Sequence, residues 1–373
     1  MHAERHYTVL QMLPALHSGG VERGTLEIAR YLVQNKHHSL VMSSGGRLLA
    51  QLEAEGSTHF DWPVGKKSLF TLKLVPRLRQ LLIEQRVDIL HLRSRMPAWI
   101  GYLAWRGMDP QTRPKLITTV HGPYSVNRYS AVMTKGERVI AVSETIRNYI
   151  LSNYPKVDAN RIRLVHRGVD PIEFPSGYRP AESWLAEWRQ TYPQLADKLV
   201  LTLPGRITRW KGQSDFIRLI ARLKQAGLAV HGLMVGEVNP KKRYFKQELE
   251  AEIRTLNLTN NIDIIGHRSD LKEIMSVSNL VLSLSQSPEA FGRVVPEALS
   301  LGIPVAGYDH GGVGEVLRVL FPSGLVPVKN IEALEKTVLR CLATPQHIAK
   351  NELFTLANMQ SSTYSIYREV LES

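Results

Sequence analysis

Two glutamates seven intervening residues apart, Glu289 and Glu297, bracket the part of this sequence best suited to chemistry. The stretch reads Ser285-Gln-Ser-Pro-Glu-Ala-Phe-Gly-Arg-Val-Val-Pro-Glu297 and continues to Gly302-Ile-Pro-Val305. An apolar start, a loop with a glycine and a helix-compatible continuation predict strand, turn and helix, with Pro296 near the first helical turn, where it is tolerated. Ionised carboxylates bind vicinal hydroxyls through charge-assisted hydrogen bonds, so this pair suits a polar, hydroxylated ligand. The predicted helix start adds unpaired N–H groups and a positive dipole end, which favour a phosphate. Two isolated glutamates would be more simply a first-turn acid and a solvated loop residue. The Phe291-Gly292 and Gly-Ile-Pro-Val surroundings tip the reading toward a site.

A second constellation is Leu203-Pro-Gly-Arg-Ile-Thr-Arg-Trp-Lys-Gly-Gln213, between a predicted strand and a predicted helix. Arg206, through its planar fork, and Lys211, as a point charge, are placed to converge on a diphosphate. Arg209 is the competing cation and is expected to point to solvent. Third, Ser18-Gly19-Gly20-Val-Glu-Arg-Gly24 follows the first predicted strand, and backbone lacking Cβ atoms can approach a phosphate or sugar. Its spacing is not that of a dinucleotide fingerprint, and a tight strand-to-helix turn accounts equally well for Gly19 and Gly20. Fourth, His121 in Thr118-Thr-Val-His-Gly-Pro-Tyr124 and His91 in Asp88-Ile-Leu-His-Leu-Arg-Ser-Arg95 stand at predicted strand ends. His121 is the functional candidate, and His91 the packed, hydrogen-bonded one. No His/Cys/Asp spacing suits a metal and no Gly-x-Ser-x-Gly elbow marks a hydrolase.

These groups need elements to hold them. The apolar runs Tyr7–Leu13, Ser39–Met42, Ile89–Leu92, Leu116–Val120 and Val139–Val142 predict strands, with helices over Glu22–Val33, Leu74–Gln85 and Ala98–Trp105 between them. A second cycle predicts strands at Val200–Leu203, Val230–Val235, Ile262–Ile265, Leu280–Leu284 and Pro304–Ala306. Its helices are predicted at Gln213–Ala226, Tyr244–Leu256, Asp270–Met275, Pro296–Ser300 and Ile331–Ala343. Between the cycles the Pro- and Gly-rich segment 170–180 reads as a linker. The rhythm predicts an α/β protein of two Rossmann-like, doubly wound parallel-sheet domains facing a cleft. Ligands in such sheets sit beyond the carboxyl ends of the strands, where the four constellations also fall.

A chain of 373 residues suits two domains rather than one core. Its single cysteine, Cys341, permits no internal disulfide and fits a reducing cytosol. The N-terminus lacks the pattern of a signal peptide, and no apolar run approaches the roughly 18 to 20 residues that span a bilayer. The expected location is cytoplasmic, extending to the inner face of the cytoplasmic membrane. Of the net charge of +13, residues 1–175 carry 24 basic against 14 acidic side chains. A basic half suggests an anionic partner. Nucleic acid is disfavoured, because no zinc spacing, RNA-binding signature or basic–aromatic alternation accompanies the charge.

Together the motifs Ser18-Gly-Gly-Val-Glu22, Thr119-Val-His-Gly122, Ala141-Val-Ser-Glu144, His166-Arg-Gly-Val-Asp170, Pro204-Gly-Arg206 with Trp210-Lys-Gly212, and Glu289 to Glu297 resemble the family 4 retaining glycosyltransferases of the GT-B fold, of the bacterial lipopolysaccharide and cell-envelope type. The resemblance runs through nearly the whole chain. It implies an N-terminal acceptor-side domain over 1–172, a nucleotide-sugar-binding domain over 173–360 and a helix over 361–373 that crosses back. It further implies that Arg206 and Lys211 hold the donor diphosphate, Glu289 the transferred sugar and Glu297 the nucleotide ribose. Backbone groups of Phe291, Gly292, Arg293 and Val294 would meet sugar and phosphate, Gly19 and Gly20 would lie over the diphosphate, and His121 near the anomeric carbon. The implied reaction retains configuration and needs no metal or cofactor, the nucleoside-diphosphate sugar, with UDP or GDP favoured, being a co-substrate. An anionic, lipid-linked glycan is the implied acceptor, and the basic and apolar segment Gly65–Arg79 is suited to an anionic membrane surface. Arg293 stands where the family is more often apolar. The rival readings are a sugar-nucleotide 2-epimerase of the same fold and a non-catalytic phosphoglycan-binding protein.

Overall fold

The structure, a computed structural model, describes residues 6–17, 19–238 and 243–372. Ser18 of the first glycine turn lies outside the described residues. Two compact units emerge, one formed by the chain up to Arg167 together with the segment from Leu356, the other by Gly168–Thr355.

In the first unit, β1 (Thr8–Met12), β2 (His38–Ser43), β3 (Thr58–Asp61), β4 (Ile89–Leu92), β5 (Lys115–Val120), β6 (Arg138–Ala141) and β7 (Ile162–Leu164) form one sheet. The order is β3-β2-β1-β4-β5-β6-β7, and every pairing is parallel. Its helices are α1 (Gly20–Gln34), α2 (Leu49–Ala54), α3 (Leu74–Glu84), α4 (Arg95–Arg106) and α5 (Glu144–Asn153). Helix α1 forms because Thr25, Leu26, Ile28, Ala29 and Leu32 recur at helical spacing and bury one face. The chain builds outward from β1 to β3, then restarts at β4 and builds the other way. The switch point therefore lies between β1 and β4, where Gly19, Gly20 and the His91–Arg95 segment emerge.

The second unit holds β8 (Leu199–Pro204), β9 (Val230–Val235), β10 (Ile262–Gly266), β11 (Leu280–Ser283), β12 (Val305–Tyr308) and β13 (Leu325–Val326), in the order β10-β9-β8-β11-β12-β13. All pairings are again parallel. Helices α6 (Glu182–Thr191), α7 (Gln213–Gln225), α8 (Arg243–Thr255), α9 (Leu271–Ser276), α10 (Val294–Ser300), α11 (Gly311–Leu320) and α12 (Ile331–Ala343) accompany them. Strand β9 is buried along its whole length, so both faces of the sheet are covered, as in other parallel sheets. Phe174, from the Pro- and Gly-rich segment 170–180, is buried in this unit's core. The reversal here lies between β8 and β11.

The last helix, α13 (Leu356–Glu372), belongs to the first unit. Met359, Ile366, Tyr367 and Val370 pack against Tyr7, Val9, Ile28, Leu32, Ile89, Ile117, Ile140 and Val165. Glu369 accepts hydrogen bonds from Arg138 Nε at 2.8 Å and Arg163 Nε at 3.0 Å, at the β6–β7 edge of the sheet.

Candidate functional site

The switch point of the second unit gathers two of the predicted constellations. Lys211 Nζ donates to Glu289 Oε1 at 2.7 Å, with both side chains 16% exposed. Ser285 Oγ, at the end of β11, donates to the same oxygen. The second oxygen, Oε2, has no partner among the described residues and is open to a ligand's hydroxyl. Two local features force this meeting of the β8 and β11 loops. Gly212 has φ +77°, and a Cβ there would stand 2.0 Å from the Leu284 carbonyl oxygen, so only glycine allows α7 to begin this close to β11. Gln286 N also donates to the Trp210 carbonyl at 2.6 Å. Below them Asp215, buried, accepts from Gln286 Nε2 at 3.0 Å and from Tyr308 OH at 2.8 Å, joining the loops of three strands.

Arg206 precedes this pair in the same loop. Its backbone is fixed, since Gln213 Nε2 donates to its carbonyl at 3.0 Å and the next residue, Ile207, is buried. Its side chain is exposed and forms no ion pair among the described residues. Arg209, the competing cation, is also exposed and turns to Glu248 at 2.7 Å. The loop therefore presents one uncommitted guanidinium and one ammonium held beside a carboxylate.

Beyond Glu289, Phe291 is buried edge-on to Phe354, with ring centroids 5.7 Å apart, and Gly292 turns the chain with φ +79° into α10. Val294 is the first residue of α10, and Glu297 is the fourth and buried. Arg293 Nε stands 3.4 Å from Glu297 Oε1, one helical turn on. The residue that departs from the family pattern is thus tied to the carboxylate expected to meet the ribose. With only seven residues, α10 carries a small dipole, so positive charge here rests mainly on side chains. Arg293→Ala is expected to raise the KM for donor about three- to tenfold with little change in kcat, because Glu297 loses an orienting partner worth about 1 kcal/mol. Steady-state kinetics over donor concentration check this, and an unchanged KM contradicts it.

In the first unit, Gly19 caps α1 with φ +144° and Gly20 is its first residue. His91 is fully buried, with Nδ1 2.6 Å from Tyr367 OH and Nε2 2.6 Å from Thr119 Oγ1. Both ring nitrogens are occupied inside the protein. Arg93, 1% exposed, hydrogen-bonds to Tyr367, while its Nε and Nη1 lack partners. His121 follows β5 and is reached through Nδ1 by Arg167 Nη2 at 2.5 Å. His121 Nε2 is buried without a partner. Arg95 stacks on Tyr124 at 4.8 Å.

Burial, and then the neighbouring Arg93 and Arg167, hold both His91 and His121 well below the usual imidazole range. In the folded state these rings are neutral, whereas unfolded histidine protonates near 6.5. The unfolded chain therefore binds more protons as pH falls through 6.5, so this part of the stability is present above that pH and lost below it. As pH falls below 6.5 the first unit is expected to lose stability progressively, both buried histidines contributing in the same direction. Urea titrations across that range measure it, and a flat midpoint contradicts it.

The structure pairs Lys211 with Glu289 and places Arg206 in the Lys211 loop, with Phe291, Gly292, Arg293, Val294 and Glu297 following Glu289 directly along the chain. It places Gly19, Gly20 and His121 at strand ends of the other unit. Sequence reasoning passed over Ser285, Arg167 and Tyr367. Ser285 stands within the quoted motif, but no spacing rule marks its bond to Glu289. Arg167 and Tyr367 act across 46 and 276 residues, a separation that no local pattern encodes.

With this geometry in view, the comparisons with known proteins are specific. The family model for Glycosyltransferase Family 4 matches residues 18–173, and that for Glycosyl transferases group 1 matches residues 186–352. A crystal structure of a glycosyltransferase from Rickettsia africae ESF-5 is similar over 99% of each chain, with 31% identity and a TM-score of 0.87. The two parallel-sheet units and their site define a glycosyltransferase of the GT-B fold. The chain belongs to glycosyltransferase family 4. Anabaena Alr3699/HepE, solved with UDP-glucose, shares the fold at 20% identity over 98% of this chain and 100% of that one, with a TM-score of 0.82. N-acetyl-alpha-D-glucosaminyl L-malate synthase of Bacillus anthracis is 23% identical over 321 residues, 82% of this chain and 79% of that protein.

Proposed function

We propose that this glycosyltransferase moves a sugar from a nucleoside-diphosphate sugar, UDP or GDP, to a hydroxyl of an anionic glycan or lipid-linked acceptor, with retention at C1, in the synthesis of lipopolysaccharide or another envelope polysaccharide. The observation that carries the reading is the Lys211–Glu289 pair beside the uncommitted Arg206 at the β8–β11 switch point. A diphosphate entering there meets two cations, and its charge, which grows as the C1–O bond breaks, is stabilised by groups already in place. As Lys211 engages phosphate, Glu289 keeps its Ser285 bond and offers Oε2 to a sugar hydroxyl. Glu297 takes the ribose. The acceptor's proton passes to the leaving phosphate on the same face, so no protein nucleophile is assigned. The Anabaena protein solved with UDP-glucose supports a nucleotide-sugar donor.

With Arg206 and Lys211 supplying positive charge, turnover is expected to be unchanged in excess EDTA. The experiment is acceptor-dependent release of UDP or GDP, with the anomeric configuration of the product read by NMR. Release with retained configuration is expected. Donor conversion without acceptor favours an epimerase, donor binding without turnover a non-catalytic phosphoglycan-binding protein, and an inverted product contradicts retention.

No helix among the described residues is long and apolar enough to cross a membrane. Phe70 is nonetheless 75% exposed between Lys67 and Lys73, whose Nζ lies 5.1 Å from its ring. Apolar tips among lysines suit the boundary of an anionic bilayer. Binding to anionic vesicles is expected to weaken with salt and with Phe70→Asp. Unchanged solubility with such vesicles at low salt contradicts this part of the proposal.

A further inference from the structure

The environment of His121 settles more than its position. Arginine has only N–H donors and no acceptor, so where Arg167 Nη2 meets His121 Nδ1 the histidine nitrogen must be the acceptor. The single ring proton of a neutral imidazole is then on Nε2, the nitrogen that is buried without a partner. Arg167 is itself 7% exposed, and its Nη1 lies 3.6 Å from Met359 Sδ of α13. It fits because Gly24 of α1 has no side chain; a Cβ there would stand 2.6 Å from Arg167 Nη1. A glycine on α1, a methionine on α13 and a backbone position just beyond β7 thus combine to aim one guanidinium at one imidazole nitrogen.

We infer that Arg167 is a positioning residue, which fixes His121 as the neutral Nε2–H tautomer and so makes it a buried hydrogen-bond donor and not a general base. The inference rests on the transferase reading for its catalytic consequence, though not for the tautomer itself. Within this unit the titratable groups that surround His121 are Arg167 beyond β7, His91 and Arg93 on the β4 side, and Tyr124 in its own loop, with Arg95 stacked on Tyr124. All the charged ones are cationic, which further opposes protonation of the ring. A neutral N–H can donate to an oxygen without adding positive charge to its surroundings.

The test reads the ring directly, by 15N NMR of histidine-labelled whole protein without substrate, with the His121 signals assigned by their loss in His121→Asn. In the unaltered protein, Nε2 should carry the proton and the ring should stay neutral well below the usual imidazole range. In Arg167→Gln the ring should begin to titrate toward 6.5. Arg167→Lys, which keeps a charged donor, should restore the original behaviour. Gly24→Ala, which displaces the guanidinium without removing it, should act like Arg167→Gln and serves if that variant does not fold. In assays of transfer, Arg167→Gln should lower kcat about tenfold to a hundredfold, the worth of one hydrogen bond to a charged group, leave the donor KM nearly unchanged and add an acid limb to the pH profile. A proton on Nδ1, an ordinary titration in the unaltered protein, or 15N shifts unmoved by both Arg167→Gln and Gly24→Ala overturns the inference. Altered shifts with unaltered kcat overturn the positioning role. The expected tautomer in a protein that transfers no sugar instead overturns the transferase reading and leaves the Arg167 assignment standing.

Discussion

Arg206→Ala and Lys211→Ala are each expected to lower kcat about 10²- to 10³-fold, a loss of roughly 2–4 kcal/mol of transition-state stabilisation. In the proposed reaction the negative charge that develops on the departing diphosphate is met by these two side chains. The variants should differ in one informative way. Arg206 is exposed and unpaired, so its removal is expected to change stability by less than about 0.5 kcal/mol. Lys211 is also the partner of Glu289, so Lys211→Ala would remove the proposed phosphate contact and free the carboxylate assigned to the sugar. The double variant Lys211→Ala, Glu289→Ala should therefore lose less than the sum of the single losses. Arg206→Lys should recover only part of the rate, because a point charge does not reproduce a planar fork. Initial rates at saturating donor for these variants and for Glu289→Ala alone measure this, and near-wild-type turnover in Arg206→Ala contradicts the assignment.

Truncation after Thr355 is expected to unfold the first unit while the second keeps its own transition. Burial of Met359, Ile366 and Val370 contributes about 1.5–3 kcal/mol each, roughly 5–9 kcal/mol together, and Tyr367 adds its ring and its bond to His91. That sum is comparable to the whole stability of a typical domain, about 5–15 kcal/mol. Removing α13 also leaves His91 Nδ1 and the Arg93 guanidinium without Tyr367 in a buried setting, a further cost. The second unit contains no part of α13. Calorimetry or circular dichroism melts decide the matter, and two unchanged transitions in the truncated chain contradict this account of α13.

The strands that carry the site were legible because central strands of a parallel sheet are buried on both faces and read as short apolar runs; β1, β4, β5, β8 and β11 all announce themselves this way. So do β2, β6, β9, β10 and β12, but several shorter or glycine-rich elements do not. Strand β3 is the four residues Thr-His-Phe-Asp at a sheet edge, with one strongly apolar side chain to signal it. Strand β7, three residues at the opposite edge, is as faint. Helix α11 opens Gly311-Gly-Val-Gly, and each interior glycine costs about 1 kcal/mol of helix propensity. Packing overrides that cost, since a Cβ on Gly312 would stand 2.3 Å from Phe291 Cα. The glycines that disguise α11 are those that let it support the Glu289–Phe291 loop. Helix α6 presents Trp184 and Trp188 among charged residues and follows the Pro- and Gly-rich segment 170–180 directly.

The candidate site divides in the same way. Residue types and strand-end positions pointed to Arg206 with Lys211, and to Glu289 with Glu297. The Lys211–Glu289 contact that joins the two groups did not follow from sequence, because it depends on β8 and β11 being neighbours across the reversal in strand order. For His121 the sequence supplied a strand end and a Gly-Pro turn. The direction of its one proton comes from Arg167, which only the folded chain brings within reach.

The most direct test of the central claim is calorimetry of the whole chain with UDP-, GDP- and ADP-sugars, each without acceptor. At a donor concentration of about a hundred times Kd, binding is expected to stabilise the second unit by about 2.7 kcal/mol, so its transition should rise with UDP- or GDP-sugar, and Arg206→Ala and Lys211→Ala should lose that rise. No shift with any nucleoside-diphosphate sugar, or the same shift in both variants, would contradict the claim that this loop pair grips the donor.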